Sequence, residues 1–169
     1  MFRNAAAIAA LSIFAVPASA APADDAVRAV TTVLDKFNGG DIQAFIEAHA
    51  AGAVIVDEFA PFQWGGEGSV QRWLGDYAKD AEARKIKDGR MLYGKPLQAS
   101  ASDSSAYIVL PTVYCLTQAG EPRGGEGTMT FVMSRAAGAD WKIASWTYSA
   151  PLPSAATAKQ GKCGKAKNS

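Results

Sequence analysis

Two adjacent carboxylates, Asp57 and Glu58, follow an apolar run and precede a loop that carries Phe59, Phe62 and Trp64. A carboxylic acid buried beside aromatic rings is harder to ionise, so its pKa rises toward the range useful to a general base. Side chains alternate in direction along an extended chain, so we expect only one of the two to face a pocket, and we assign the general base to Asp57. The alternative for each is a structural carboxylate that accepts N–H bonds where the strand meets the loop.

His49 is the only histidine of the chain. It lies at helical spacing from Ile42, Phe45 and Ile46, and is therefore predicted to end the apolar face of a short helix, a position that favours imidazolium. One interpretation is an acid/base pair of His49 and Asp57; the other is a half-buried histidine that completes the helix. A single histidine supplies too few ligands for a typical zinc site, so we predict no metal and no cofactor.

Aromatic side chains are numerous enough to line a cavity for a flat or apolar ligand, although core packing explains most of them equally well. The residues predicted to contact the ligand are Trp64, Trp73, Tyr77, Tyr114, Thr130 and Trp146. Thr130 would offer a hydroxyl, and its alternative is the polar face of a strand. Near the end of the chain, alternation predicts Trp141 and Ile143 on one face and Trp146 and Tyr148 on the other.

Other chemistries find little support in the sequence. It contains no G-x-S-x-G motif, and no histidine lies near Cys115. Residues 21–150 hold twelve basic and sixteen acidic residues, a balance of about −4. That sign argues against nucleic acid as a partner, because phosphate contacts need clustered Lys and Arg.

Residues 1–20 are predicted to be a signal peptide. Arg3 precedes an apolar run at 5–16 that is too short to span a bilayer, and Ala18-Ser19-Ala20 offers a small-residue cleavage site. A retained membrane anchor is the alternative. We therefore expect a secreted protein, periplasmic or extracellular, that begins near Ala21 and has no membrane contact once the signal is removed.

The C-terminal segment, 151–169, consists mainly of Ala, Lys, Gly and Ser and is predicted to be disordered. It contains Cys163, which in an oxidising compartment could pair with Cys115 and fasten the segment to a strand. Two separate thiols are the equal alternative, because the sequence does not give the distance between them.

Periodicity predicts the elements that position these residues. Helices are expected at 24–37, 42–49 and 69–85, and strands at 53–57, 91–100, 106–118, 125–135 and 141–149. Asp41 is a good N-cap for the second helix. Pro111 has no N–H to donate and predicts a bulge or an unpaired position in its strand. Helices that precede a helix-free run of strands indicate one α+β domain over 21–150, with helices on one side of a curved antiparallel sheet.

The order of elements resembles the NTF2-like superfamily, specifically its SnoaL-like branch, and a secreted member of the DUF4440 type. The resemblance lies in FNGGDIQAFIEAHAAGAVIVDE at 37–58, in residues 65–73 and in DWKIASW at 140–146. It implies a cone-shaped α+β barrel in which three N-terminal helices pack on a strongly curved, mainly antiparallel sheet. It also implies a pocket open at one end and a homodimer formed through the sheet.

Laid against the steroid isomerases of that superfamily, Asp57 falls on the catalytic base. Their oxyanion tyrosine falls on Val33 and their second carboxylic acid near Met129, so we do not expect the enolising isomerase reaction. The resemblance and the residues together predict a secreted domain that binds a small apolar or aromatic molecule. Asp57 would make it a general-base enzyme of the isomerase, cyclase or dehydratase kind. The alternative is a non-catalytic dimerising interaction module with a vestigial pocket.

Overall fold

The computed structural model describes residues 22–163; the predicted signal peptide and residues 164–169 lie outside that range. The helices are α1 (Pro22–Asn38), α2 (Ile42–Glu47), α3 (Ser69–Ala83) and the short α4 (Ala155–Thr157), which continues into a π-helical turn (Ala158–Lys162). The strands are β1 (His49–Val56), β2 (Gln63–Trp64), β3 (Ile86–Tyr93), β4 (Gln98–Ala101), β5 (Ser105–Gln118), β6 (Glu121–Ser134) and β7 (Lys142–Ser149).

The strands form one curved sheet that does not close on itself, in the order β2-β1-β7-β6-β5-β3, with β4 also paired to β5. The β1–β7 pair is parallel and the other pairs are antiparallel. The prediction of an α+β fold with three N-terminal helices on a mainly antiparallel sheet is confirmed. The strand predicted over 91–100 is divided into β3 and β4, since the chain turns at Gly94.

Pro111 lies opposite the division between β3 and β4. Its carbonyl accepts the N–H of Gly94 at 3.0 Å, and on its other side it pairs in register with Thr128 of β6. In an antiparallel strand the N–H and C=O of one residue point to the same neighbouring strand. The absent N–H of Pro111 would therefore have pointed to the gap between the end of β3 and the start of β4. The unpaired position is therefore the correct alternative, and a bulge at Pro111 is not.

Helix α1 lies on the inner face of the sheet because its apolar side chains recur at helical spacing, with Val30 and Leu34 buried. Its last residue, Asn38, holds β3 with both amide atoms: Nδ2 donates to the Met91 carbonyl at 2.8 Å, and Oδ1 accepts the Met91 N–H at 2.9 Å. Asp41 caps α2 as predicted, accepting the N–H of Ala44 at 3.0 Å.

Strand β7 contains a bulge that changes which side chains face inward. Ser145 is paired with Val132 and Ile143 with Met133, so Ala144 is an extra residue between two paired positions. As a result Trp141, Ile143, Trp146 and Tyr148 are all buried. The prediction of two opposite faces was wrong here, because simple alternation does not survive a bulge.

The C-terminal segment is folded over 151–163, where disorder was predicted. Ser154 and Gly124 exchange backbone hydrogen bonds of 2.9 and 2.7 Å, and Cys163 forms a disulfide with Cys115 on the outer face of β5. We call residues 151–163 the C-terminal strap. Glycine lets the strap approach β6, since a Cβ at Gly124 would lie 2.8 Å from Cys163 Sγ. Composition alone did not predict the folded conformation of the strap, because backbone pairing with β6 and the disulfide stabilise it.

Candidate functional site

A cleft lies between the helices and the inner face of the sheet, and eight of its seventeen lining residues are aromatic. Five of the predicted site residues line it: Asp57, Trp73, Tyr77, Tyr114 and Trp146. The space open to the centre of a water molecule measures about 70 Å³. That is room for several waters or for a compact ring, and a large polycyclic ligand would require side chains to move.

Asp57 follows β1 directly and is held by two N–H donors. Its Oδ1 accepts the backbone N–H of Glu58 at 2.7 Å, and its Oδ2 accepts Nε1–H of Trp73 at 3.0 Å. An ionised carboxylate has about four lone-pair positions, so it can still accept a proton from a ligand. Burial raises the pKa of Asp57 above its ordinary value, and the two hydrogen bonds oppose that rise.

Glu58 also lines the cleft, contrary to the prediction that only one of the two carboxylates would. The regular strand ends at Val56, so strict alternation no longer applies at Asp57 and Glu58. Arg84 lies 3.9 Å from Glu58 Oε1 and 3.1 Å from Asp80, which is its closer partner. Burial, followed by the nearby charge of Asp57, raises the pKa of Glu58. Its Oε2 is buried and accepts no hydrogen bond from the described residues.

Two tyrosines close another part of the wall. The hydroxyls of Tyr77 on α3 and Tyr114 on β5 are hydrogen-bonded at 2.8 Å, and Tyr77 stacks on Trp73 with 5.3 Å between ring centroids. Gly89 of β3 leaves room for the pair, since a Cβ there would lie within 2.9 Å of both hydroxyls. Burial raises the pKa of both tyrosines, so both remain neutral hydrogen-bond donors at physiological pH.

Tyr148 of β7 contributes a hydroxyl that has no hydrogen-bond partner among the described residues. Its side chain is buried, only 7% exposed, and lines the same cleft. Burial raises its pKa, and the charges of Glu58 and Asp57 raise it further, so the hydroxyl stays protonated. It is an unused donor in a cleft that two carboxylates also line.

His49 does not line the cleft. It begins β1, not the end of α2 as predicted, because α2 stops at Glu47. Nε2 accepts Nε1–H of Trp146 at 3.1 Å, so Nδ1 carries the proton and donates to the Phe45 carbonyl at 2.7 Å. Burial lowers the pKa of His49. Both ring nitrogens are occupied, so the arrangement is that of a buried structural histidine.

Two further predicted ligand contacts lie elsewhere. Trp64 is packed on Phe59, with 5.0 Å between ring centroids, and donates Nε1–H to Asp76 at 3.0 Å. Thr130 alternates with the inward-facing Met129 and Phe131 and so lies on the outer face of β6. Neither contributes to the wall of the cleft.

Of the residues that line the cleft, sequence reasoning missed Arg84, favoured a structural role for Glu58 and left Tyr148 out of the predicted ligand contacts. Arg84 is the C-cap of α3, which ends at Ala83, two residues before the predicted end of that helix. Tyr148 shares a face with Trp146 as alternation predicted, and both line the cleft. Over residues 22–163, no group of three or more His, Cys, Asp or Glu side chains is arranged to hold a metal ion. In the same range, no helix is both long and apolar enough to cross a membrane.

Solved structures share this architecture at low sequence identity. A ketosteroid isomerase-like protein from Erwinia carotovora atroseptica SCRI1043 matches with a TM-score of 0.60 and 18% identity, covering 78% of this chain and 97% of that one. The CaMKII hub of S. rosetta gives a TM-score of 0.62 and 17% identity over 79% and 99% of the two chains. An NTF2-like superfamily protein from Salmonella enterica gives 0.59 and 10% over 74% and 87%. The fold is therefore NTF2-like.

The family is shown by the sequence itself. Residues 27–153 match the SnoaL-like domain, and the chain belongs to that family. No curated protein matches the chain. Proteins of this kind include isomerases, cyclases and dehydratases, so membership does not by itself select a reaction.

Proposed function

We propose that this domain binds a small, mostly apolar molecule in the aromatic cleft and that Asp57 acts on it as a general base. The observation that carries the proposal is the state of Asp57: fixed by two N–H donors, desolvated against rings, and still able to accept a proton. We infer from the predicted signal peptide that it works outside the cytoplasm.

A tyrosine hydroxyl in the cleft supports a proton-transfer reaction that the sequence comparison alone did not favour. The oxyanion tyrosine that the steroid isomerases carry on their first helix is replaced by Val33. Tyr148, on a strand, instead places a neutral hydroxyl in the wall of the same cleft as Asp57. A hydroxyl that donates to a developing oxyanion is usually a large part of catalysis in enolisation and related reactions.

The test is proton exchange at the ligand. Small ring ketones would be incubated with the protein in D₂O, and NMR would follow exchange of the C–H next to the carbonyl. We expect Asp57→Asn to reduce exchange at least 100-fold, since general-base catalysis contributes about 10²–10⁴. Asp76→Asn is the matched control, because Asp76 also accepts an indole N–H, from Trp64, but lies outside the cleft. Equal exchange by the Asp57 variant and the wild type would end the general-base proposal.

A second candidate, a dimerising interaction module, is favoured by the outer face of the sheet. Val54, Ser145, Val132 and Tyr107 form one row across β1, β7, β6 and β5, and the three large members are 36–41% exposed. Val132→Lys should convert a dimer into a monomer in sizing experiments, whereas Ile42→Lys, exposed on α2, should not. Wild-type protein that elutes as a monomer at all concentrations would remove this candidate.

A further inference from the structure

The charges that line the cleft are unbalanced. Three carboxylates, those of Asp57, Glu58 and Asp80, face one guanidinium, that of Arg84. Arg84 is 3.1 Å from Asp80 and 3.9 Å from Glu58, so its charge is mostly matched by Asp80. Glu58 therefore shares one cation with Asp80, and Asp57 forms no ion pair with any described residue. An anionic ligand would be repelled from this end of the cleft.

Two buried polar atoms of residues that line the cleft have no hydrogen-bond partner among the described residues. Glu58 Oε2 accepts no hydrogen bond from any described residue. The Tyr148 hydroxyl also forms none, although its side chain is only 7% exposed. Buried polar groups are normally hydrogen-bonded, so a bound molecule is expected to satisfy them. A group with several N–H donors suits both, because a carboxylate oxygen accepts and a hydroxyl oxygen can accept while its own hydrogen stays free to donate.

The aromatic residues of the cleft also favour a cationic ligand. Trp73, Tyr77 and Trp146 present rings to the cleft, and a cation close to the face of such rings is attracted by their electron density. We propose that the ligand is a compact monocationic amine whose ammonium lies at Glu58 and Tyr148 and whose apolar ring packs on Trp73 and Tyr77. This inference rests on the proposed function, since it names the class of molecule that the same cleft takes.

The test compares three molecules that share a body and differ in charge: 2-phenylethylamine, 2-phenylethanol and 3-phenylpropanoate. Calorimetric titration of the full chain at pH 7 and 150 mM salt measures each affinity. We expect the amine to bind at least tenfold more tightly than the alcohol, and the acid to bind least. Glu58→Gln should remove the preference for the amine while keeping affinity for the alcohol.

Glu82→Gln is the matched control, because it removes the same charge from an exposed position of α3 outside the cleft. It should leave the tenfold preference unchanged. An alcohol that binds as tightly as the amine, or a preference that survives Glu58→Gln, overturns the amine inference while the proposed ligand site stands. Failure of all three molecules to bind also overturns it, and the deuterium exchange experiment on Asp57 then decides the proposed function separately.

Discussion

Two indole rings connect the two ionisable residues that the sequence suggested as an acid/base pair. Trp73 donates to Asp57 and Trp146 donates to His49, and the two rings meet edge to face with 5.1 Å between centroids. Asp57 and His49 thus each have their own indole donor, and neither depends on the other for a hydrogen bond. These contacts span 16 and 97 residues of sequence, so no local pattern could have revealed them.

The pH dependence of stability should reflect His49. Its folded pKa is lowered by burial, so the neutral ring is favoured in the folded state, and its contribution is present above about pH 6.5 and lost as the pH falls below that value. His49→Gln should cost about 1–3 kcal/mol at pH 7, since the partner groups at Phe45 and Trp146 are less well paired. The cost should shrink between pH 7 and pH 5, as measured by urea unfolding.

Asp57 and Glu58 change the stability of the folded state with pH in the direction opposite to His49. The pKa values of Asp57 and Glu58 are raised, so their protonation stabilises the folded state as the pH falls through those values. The comparison of His49→Gln with wild type cancels their effect, because both proteins contain them. Unfolding free energies that run parallel in the two proteins from pH 7 to pH 5 would contradict a buried neutral histidine.

At the scale of the elements, β3 pairs with β5 and contacts α3, and Gly89 of β3 lines the cleft. Gly89 leaves the space in which the Tyr77 and Tyr114 hydroxyls meet. Gly89→Ala would place a methyl group 2.7 Å from Tyr114 Oη, forcing the pair apart. We expect a loss of about 1–3 kcal/mol in the free energy of unfolding, the usual range for overpacking, together with a narrower cleft.

Gly75→Ala is the control for that substitution. Gly75 lies on α3, and a Cβ there meets nothing within 4 Å. Alanine is the better helix former, so this variant should gain up to about 1 kcal/mol. Equal stability of the two alanine variants in thermal unfolding would show that the tyrosine hydroxyls do not restrict position 89.

Much of the element scale was predictable from periodicity. The helix predicted over 24–37, the strand predicted over 106–118 and the Asp41 cap are present as α1, β5 and the N-cap of α2. The division between β3 and β4 was not predicted, because it depends on a contact between segments distant in sequence: Gly94, where the chain turns after β3, donates to the carbonyl of Pro111 in β5. Residue patterns thus indicated the buried faces, whereas long-range pairing determined where strands begin and end.

At the scale of the whole molecule, the disulfide joins residues 48 apart in sequence. A cross-link of that span restricts the unfolded chain, and its removal typically costs about 2–4 kcal/mol. Cys163→Ser should lower the unfolding free energy by that amount in the absence of reductant. The wild-type protein in excess dithiothreitol should match the variant, since both then lack the cross-link.

Protease sensitivity provides the second measurement for the C-terminal strap. Without the disulfide, the strap keeps its backbone bonds to Gly124 but loses its covalent anchor, so cleavage after Lys159 or Lys162 by trypsin should become faster. A variant that is as stable and as resistant as the oxidised wild type would mean that the strap is held by its other contacts alone.

The bulge at Ala144 has a consequence for how such pockets change. A strand keeps its side chains in two alternating sets, and one additional residue exchanges the sets for everything that follows. Ile143 and Trp146 can both face inward only because Ala144 shifts that parity. Insertion or deletion of one residue at this point would turn Trp146 and Tyr148 from the interior to the solvent. A ligand site could therefore arise or be lost without substitution of any residue that lines it.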